Sequence, residues 1–284
     1  MIQTLFSVLI ANYNNGKFFE DCWNSLLKQT YKNWEAIVVD DCSTDNSVEI
    51  IKNIVQNDPR VKIFTNEKNC GCGYTKKKCA ELASGELMGF LDPDDTLYPN
   101  AISKMTSVFS ENSRLVLAYS KHIRCDDKLK RLEHQREFKA VNTSDIYYFN
   151  LGAHVTAFSA FKSSVYKNTE GIDAYLLRAV DQDLYLKMFE QGETLFVDEA
   201  LYNYRIHENG ISSDYKSGNI NKAEYWQWVV ISNAARRRGI NVEELFIKKF
   251  VDRKSYDILL SKYNLIQRNG VVRLFNFLKR LFSS

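Results

Sequence analysis

Three aspartates, Asp92, Asp94 and Asp95, fall within four consecutive positions directly after the apolar run Leu87–Leu91. Carboxylates this close repel one another strongly where water is excluded, so the cluster needs hydrogen bonds, protonation or a bound cation. Oxygen ligands favour Mg²⁺ or Mn²⁺, and such ions often bridge to phosphate oxygens. The alternative is an acidic turn that caps the following helix. The segment is therefore a candidate divalent-metal site or a helix cap.

A second acidic pair, Asp40 and Asp41, follows the run Glu35–Val39. A carboxylate at the end of a strand can accept hydrogen bonds from a nucleobase or from ribose hydroxyl groups. The polar residues 43–45 are also suited to capping a helix that begins here. We expect both uses, at different residues of the segment.

The elements that must position these carboxylates alternate along the first part of the chain. Apolar runs predict strands at 6–11, 35–39, 61–65, 87–91 and 115–120. Segments of helical periodicity predict helices at 17–29, 43–57, 75–83 and 99–109. This alternation predicts βαβ units and a mostly parallel sheet, in which ligands bind beyond the carboxyl ends of the strands. The two acidic segments and Asn12-Tyr13-Asn14, which follows the first run, are therefore predicted to lie at one edge.

The pattern is less regular after residue 120. The highly charged segment 124–139 predicts a loop, 181–191 a helix, and 194–197 and 200–205 two short strands. From about residue 219 the pattern is helical to the end. We expect His122 and His134 to face solvent, His154 to be structural, and Trp226 and Trp228 to serve packing.

Composition excludes several classes of protein. The 284 residues are 45% hydrophobic and 26% charged, unlike a disordered chain, a collagen-like repeat or a coiled coil. The formal net charge of +3 is too small to indicate nucleic-acid binding. The six cysteines are irregularly spaced and no signal peptide or membrane-spanning run is found, so we predict reduced thiols in a cytoplasmic protein.

The C-terminal segment is basic: from Arg236 onward there are twelve Lys and Arg but four Asp and Glu. Residues 270–282 place apolar side chains among Arg273, Lys279 and Arg280. This pattern predicts an interfacial amphipathic helix in peripheral contact with anionic lipid at the inner face of the membrane. The alternative is a terminal helix that packs on the rest of the chain or on a second subunit of a homo-oligomer.

The segments 6–14, 40–41, 69–86 and 91–95 occur in an order and at a spacing that resemble the family 2 glycosyltransferases of the GT-A fold. The resemblance is continuous over about the first 120 residues and resumes at 181–187 and 204–207. It implies a Rossmann-like α/β fold, with a mostly parallel sheet flanked by helices. The implied domains are a catalytic domain at 1–214, with a nucleotide-sugar-binding half at 1–120 and an acceptor-binding half at 121–214, and a helical extension at 215–284.

The activity that this resemblance implies is transfer of a sugar from a nucleoside diphosphate sugar, with uridine expected, to a hydroxyl of a glycan or lipid-linked acceptor. Such hexosyltransferases commonly serve surface polysaccharide synthesis and invert the anomeric carbon. Mn²⁺ or Mg²⁺ would neutralise the diphosphate leaving group. One carboxylate base suffices for inversion, whereas glycoside hydrolases need two opposed carboxyl groups.

The resemblance also assigns residues. Asp41 would contact the base, Asp94 would ligate the metal with Asp92, and Asp181 would be the general base with Asp183 as its rival. The implied nucleotide-sugar pocket contains Ala11, Asn12, Tyr13, Asn14, Asp40, Asp41, Lys76, Asp92, Arg205 and His207, the last two reaching the diphosphate.

Several positions depart from the family pattern. Cys42 stands where a glycine is usual, which disfavours a positive φ there. Val180 replaces the acidic residue before the base, and Lys76 replaces a frequent arginine. The residues Lys76, Lys77 and Val180 leave open a non-catalytic nucleotide-sugar-binding or scaffold protein. A sugar-1-phosphate nucleotidyltransferase is disfavoured, because no glycine-rich phosphate loop follows the first strand.

Overall fold

The computed structural model describes residues 3–135, 137–141, 155–208, 210, 220–246, 258 and 261–262. His154 and the predicted membrane-contacting segment 270–282 lie outside the described residues. The chain forms two compact units, Met1–Ala234 and Ala235–Ser284. The first unit contains the sheet and all the predicted site residues.

The first unit is built on one eight-stranded mixed sheet. Its strands, in the spatial order β3-β2-β1-β4-β7-β6-β8-β5, are parallel between β3, β2, β1 and β4 and between β6 and β8. The pairs β4–β7, β6–β7 and β5–β8 are antiparallel. The strands are β1 Phe6–Asn12, β2 Trp34–Asp40, β3 Val61–Thr65, β4 Leu87–Phe90, β5 Thr96–Leu97, β6 Leu115–Cys125, β7 Ser159–Lys162 and β8 Glu193–Arg205.

The described residues form eight α-helices. They are α1 Phe19–Leu27, α2 Ser47–Val55, α3 Cys72–Leu82, α4 Ala101–Glu111, α5 Ser163–Tyr166, α6 Val180–Phe189, α7 Ile220–Arg237 and α8 Val242–Phe246. A 3₁₀ turn at Gly16–Phe18 precedes α1. The amphipathic pattern has its expected effect in α2, for example, where Ile51 and Val55 are buried and the intervening lysine is exposed.

The core explains why the first strands were recognisable. Strands β1 and β2 lie in the parallel part of the sheet and are buried almost throughout, as parallel strands covered on both faces must be. Continuous apolar runs such as those around Val8 and Ile37 are therefore required. Burying each such side chain contributes roughly 1.5–3 kcal/mol.

The second half of the sheet differs from the prediction. One 13-residue strand, β8, occupies the segment where two short strands were predicted, and β6 extends to Cys125, into the predicted loop. The prediction that His122 faces solvent is wrong. Since β6 continues past Ser120, its alternation turns the His122 ring inward, 4.8 Å from Phe138 and 5.3 Å from Tyr204 between centroids.

All six cysteines are free thiols, as predicted. No helix within the described ranges is both long enough and apolar enough to cross a bilayer.

Candidate active site

The turn after β2 is closed by Asp40. Its Oδ1 accepts hydrogen bonds from Asn12 Nδ2 at 2.7 Å and from the Ser43 hydroxyl at 2.6 Å, and its Oδ2 accepts one from the Ser43 amide at 2.8 Å. Cys42 lies between them with φ of 58°. The turn therefore adopts the left-handed conformation that Cys42 disfavours, at a cost of about 1–2 kcal/mol.

Asp41 is buried at the same turn and accepts hydrogen bonds from neutral donors. Its Oδ1 accepts hydrogen bonds from Asn66 Nδ2 and from the Cys70 amide, each at 2.8 Å, and its Oδ2 accepts one from the Gly71 amide at 2.8 Å. A carboxylate has about four acceptor sites, so Asp41 Oδ2 retains capacity for a further donor.

The loop after β1 is fastened to this turn. The Asn14 amide donates to the Ser43 hydroxyl at 2.9 Å, and Asn14 Oδ1 accepts the Thr44 amide at 2.8 Å. Tyr13 lies between the anchored residues, 43% exposed, and Ala11 is half-buried. The segment 11–14 and the pair Asp40–Asp41 thus meet at one edge of the sheet, as predicted.

The turn after β4 is held by its third aspartate. Asp95 Oδ1 accepts the Arg205 amide at 2.6 Å, and Oδ2 accepts the Tyr202 hydroxyl at 2.7 Å. That hydroxyl also accepts the Asp92 amide at 3.2 Å. Burial raises the pKa of Asp95 well above its usual value, and the charges of Asp94 and Asp92 raise it further. Asp95 therefore shapes the turn from inside.

Asp94 faces a histidine. His207 Nε2 lies 2.8 Å from Asp94 Oδ2, and the imidazole ring packs against Phe18 with centroids 4.5 Å apart. His207 Nδ1 is buried without a hydrogen-bond partner among protein atoms. A carboxylate and an imidazole are thus brought together although they are far apart in sequence.

Arg205 is occupied within the protein. Its Nε donates to the Asp94 carbonyl and its Nη1 to the Asp127 carbonyl, each at 2.6 Å. Its Nη2 donates to Asp21 Oδ2 at 2.8 Å. The side chain is 3% exposed, and its guanidinium carbon lies 4.7 Å from the centroid of the Phe18 ring. In this arrangement the guanidinium holds the backbone of the acidic turn instead of facing an open pocket.

Lys76 joins the two ends of the candidate site. Its Nζ lies 3.1 Å from Asp92 Oδ1 and 2.8 Å from Asp181 Oδ1, and its side chain is 5% exposed. Burial by itself would lower the pKa of Lys76, but Asp181 and Asp92 outweigh it and the pKa lies well above the usual value. Burial raises the pKa of Asp92, with a further contribution from Asp181 that Lys76 opposes.

The two rival carboxylates of α6 have different surroundings. Asp181 is 45% exposed, whereas Asp183 is fully buried and pairs with Lys187 at 2.8 Å. Lys187 also donates to Asp173 and to the Gly171 carbonyl, each at 2.7 Å. Burial raises the pKa of Asp183, and Lys187 opposes that rise. Of the pair, Asp181 is the carboxylate that a second substrate can reach.

The family model "Glycosyl transferase family 2" matches residues 7–169, more than half of the chain. The chain belongs to glycosyltransferase family 2. Chondroitin synthase of Escherichia coli is 28% identical to it over 236 residues, which is 83% of this chain and 33% of that protein. The chain therefore spans about a third of the length of this relative.

Solved structures agree on the fold of this family 2 glycosyltransferase. S. aureus TarS 1-349 in complex with UDP-GlcNAc has a TM-score of 0.66 at 24% identity, covering 81% of this chain and 66% of that chain. The mannosyltransferase PcManGT from Pyrobaculum calidifontis, in complex with GDP-Man and Mn²⁺, has a TM-score of 0.58 at 12% identity, covering 97% and 84%. The fold is the GT-A type that the motifs predicted.

The donor set at the acidic turn suits a particular kind of metal site. Within the part of the chain that the structure describes, no three His, Cys, Asp or Glu side chains are grouped closely enough to hold a metal ion. Asp94 and Asp92 offer carboxylate oxygens, and His207 lies beside Asp94. Mg²⁺ is commonly bound by one or two carboxylates together with substrate phosphates. The residues therefore fit an ion that binds together with a diphosphate.

Sequence reasoning missed four residues of the site. Asp95 was noted only as part of the acidic cluster, although its burial organises the turn. Tyr202, Asp21 and Phe18 carry no local signal, because their contacts join residues far apart in sequence. For Asp183 a signal existed, since an aspartate four residues before a lysine forms an ion pair on a helix.

Proposed function

We propose that this glycosyltransferase moves a sugar from a UDP-sugar to a hydroxyl of a glycan or lipid-linked acceptor, with inversion at the anomeric carbon. One observation carries the proposal. The buried Lys76 ammonium lies between Asp92, on the turn with the metal-type donor set, and Asp181, the exposed carboxylate of α6. Lys76 Nζ thus contacts both Asp92, which we assign to the leaving group, and Asp181, which we assign to the attacking hydroxyl.

Nucleotide recognition is assigned to the turn after β2. Asp41 Oδ2 has capacity for one more donor, and the imide N–H of uracil is a donor of that kind. Asn12 and Asn14 fix the adjoining loop, and the exposed ring of Tyr13 is available to the base. TarS was solved with UDP-GlcNAc, which favours uridine, and PcManGT with GDP-Man, which makes guanosine the alternative.

The diphosphate is assigned to the turn after β4. Asp94, with Asp92, would hold Mn²⁺ or Mg²⁺, and PcManGT was solved with Mn²⁺. When bound, the ion supplies charge neutralisation for the diphosphate leaving group. We assign His207 to the same diphosphate, since it adjoins Asp94. For Arg205 we propose a positioning role, because its donors already hold Asp94 and Asp127.

The chemical step requires a base opposite the leaving group. Asp181 would accept the proton of the acceptor hydroxyl as that oxygen attacks the anomeric carbon and the diphosphate departs. Lys76 fixes the orientation of this carboxylate through its 2.8 Å contact. Asp183 would stabilise α6 through its buried pair with Lys187 instead.

The names of relatives support a glycan acceptor. Chondroitin synthase makes a glycan by its name, and surface polysaccharide synthesis at the cytoplasmic face of the membrane is the setting that we propose here. Residues 121–214 would form the acceptor-binding half of the catalytic domain, and 215–284 a helical extension for peripheral membrane contact or self-association.

Thermal unfolding with a nucleotide panel tests the donor site. A ligand that binds the folded state raises the melting temperature according to its affinity and concentration. We expect a shift with UDP or a UDP-sugar that grows with Mn²⁺, and loss of the Mn²⁺-dependent part in Asp94→Ala. The matched control is Asp58→Ala, whose carboxylate pairs with Arg60 away from the site. No shift with any nucleotide sugar would leave the non-catalytic scaffold as the better description.

A further inference from the structure

An exposed aromatic surface lies on the side of the first unit that carries α6. We define it as Tyr175, Tyr225 and Trp226. The Tyr175 and Trp226 ring centroids are 6.4 Å apart, and those of Tyr225 and Trp226 are 5.3 Å apart. Tyr175 is 55% exposed and Tyr225 is 59% exposed. Large aromatic side chains rarely remain this open together unless they serve a binding site.

The Tyr175 ring is held in place by polar contacts of its hydroxyl group. The Tyr175 hydroxyl accepts a hydrogen bond from Asn233 Nδ2 at 2.7 Å and donates to Asp173 Oδ2 at 3.2 Å. The hydroxyl is thus occupied, and the ring is the part that remains open to a ligand. Because the ring is already fixed, a ligand would bind with little loss of side-chain entropy.

The segment that carries Tyr175 is also fastened to both helices of the candidate active site. The Asp173 amide donates to Asp183 Oδ2 at 2.9 Å, which ties the segment to α6, the helix of Asp181. The Gly73 amide donates to the Leu176 carbonyl at 2.9 Å, which ties it to α3, the helix of Lys76. The aromatic surface therefore has a fixed position relative to the proposed general base.

We propose that Tyr175, Tyr225 and Trp226 form a stacking subsite for the glycan acceptor. A pyranose ring presents a face of C–H groups and a rim of hydroxyls, so it needs flat apolar faces with polar groups at their edges. The aromatic surface offers three rings, with Asp173 and Asn233 at the Tyr175 edge. Trp226 is half-buried and packs against Tyr175 and Tyr225, in line with the sequence-based expectation, and the proposal adds a binding role to that packing.

The composition of the surface favours a carbohydrate over an aliphatic partner. Its three members are aromatic, and the neighbouring helix positions Lys222 and Gln227 are exposed and half-buried polar residues. Leu177, two residues from Tyr175, is also exposed, but a lipid or an obligate protein partner would favour a wider aliphatic area than one leucine. The inference rests on the proposed function, since it names the acceptor side of the same reaction.

Saturation-transfer NMR is the direct test, with chondroitin tetrasaccharide, chitotetraose and maltotetraose as probes. We expect transfer from aromatic protons to the sugar C–H groups of at least one probe with the wild type. Tyr225→Ala and Trp226→Ala should weaken that binding about tenfold, the loss of one stacking contact. Tyr175→Phe keeps the ring and should retain binding, whereas Tyr175→Ala should not.

The controls separate this inference from the proposed function. Leu27→Ala removes an exposed apolar side chain of α1 and should change nothing. The UDP-induced thermal shift should persist in every variant, which also shows that each one is folded. Binding of none of the probes, or equal binding by the alanine variants, with the UDP shift intact, overturns the subsite. Ring-dependent glycan binding without any nucleotide shift would keep the subsite and overturn the donor site.

Discussion

The two acidic turns of the candidate site have the same position at a strand end but opposite electrostatic construction. At the turn after β2, Asp40 and Asp41 are satisfied by amides and hydroxyls, with no cation among their hydrogen-bond partners in the described structure. At the turn after β4, Asp92 pairs with Lys76 and Asp94 with His207. We call the first the dipolar turn, because the partners of its carboxylates are neutral dipoles. We call the second the charged turn, because Lys76 pairs with one of its carboxylates.

The difference matches the two parts of the proposed donor. A nucleobase is neutral and is selected by hydrogen-bond direction, which fixed dipoles supply. A diphosphate is charged and changes its charge distribution as it leaves, so it needs nearby cations. Lys76 extends the charged turn to Asp181, so under the proposed function it would link departure of the leaving group to activation of the acceptor. Five substitutions test this difference between the two turns.

The largest expected effect is on catalysis at the end of the charged network. Asp181→Asn removes the proposed base, so turnover should fall about 10²–10⁴-fold while the UDP-induced thermal shift is kept. Transfer of radiolabelled sugar and thermal unfolding measure the two quantities. The matched variant Asp183→Asn should instead lower stability, because it removes the negative charge of the fully buried partner of Lys187 and leaves Asp173 as the ion-pair partner. Normal stability together with lost turnover in Asp183→Asn would reverse the assignment.

Removal of the bridging cation should have the next largest effect. Lys76→Met removes a charge-assisted hydrogen bond to Asp181 and the ion pair with Asp92; because both carboxylates are more than a third exposed, we expect a cost of about 1.5–3 kcal/mol of unfolding free energy. Urea unfolding measures it. Lys104→Met is the control, because Lys104 and Glu199 are 44% and 41% exposed in their pair and the loss should be less than about 1 kcal/mol. Similar losses in both variants would argue against a special role for Lys76.

A change in the dipolar turn should affect affinity more than turnover. Asp41→Asn turns one acceptor oxygen into a donor that opposes the surrounding amides, and such a hydrogen bond to a charged group contributes about 1.5–3 kcal/mol. We expect weaker UDP binding by calorimetry, with kcat at saturating donor retained. If kcat fell and the affinity for UDP stayed constant, Asp41 would belong to the chemical step instead.

The charged turn should also make stability depend on pH. The raised pKa of Asp95 means that the folded protein binds this proton more tightly than the unfolded chain does. The contribution of Asp95 to stability should therefore be lost as pH rises above about 4, the usual carboxyl pKa, through the folded pKa of Asp95. We would measure urea unfolding at pH 5 and pH 7.5 without divalent ions. Between these values, the unfolding free energy of Asp95→Asn relative to the wild type should increase by about 1 kcal/mol. A constant difference between the two proteins would contradict this.

The smallest effect concerns the backbone of the dipolar turn. Cys42 adopts φ of 58°, so Cys42→Gly relieves strain but adds freedom to the unfolded chain. The two contributions should nearly cancel, leaving less than about 1 kcal/mol in urea unfolding. Cys42→Val, which is β-branched, should destabilise clearly. Equal tolerance of glycine and valine would show that the turn does not require this conformation.

The first half of the sheet was predictable because β1, β2 and β4 are buried almost throughout and are therefore mainly apolar. The predicted strand at 61–65 matches β3, and 6–11 falls short of β1 by one residue. The second half was less predictable. Strand β5 has two residues and β7 has four, too few for a periodicity to emerge.

The candidate site was predictable at strand ends and unpredictable where distant residues meet. Apolar runs directly precede the segments that contain Asp41, Asp92 and Asp94, and aspartates at strand ends indicate ligand binding. The partners that decide how each carboxylate is used could not be inferred from spacing. The Arg205 contacts with Asp94 and Asp21 span 111 and 184 residues. Periodicity covers only neighbours on one element, so it cannot register such contacts.

The late position of β8 in the sequence affects the order in which parts of this protein fold during translation. Asp95 meets Arg205 110 residues later, and Asp94 meets His207 113 residues later. At ribosomal speeds of roughly 5–20 residues per second, several seconds pass between the emergence of the aspartates and that of their partners. The β1–β4 layer, rich in shorter-range contacts, can form first, whereas the metal-type turn must wait for β8. The candidate donor site therefore forms late in folding, because its contacts join residues far apart in sequence.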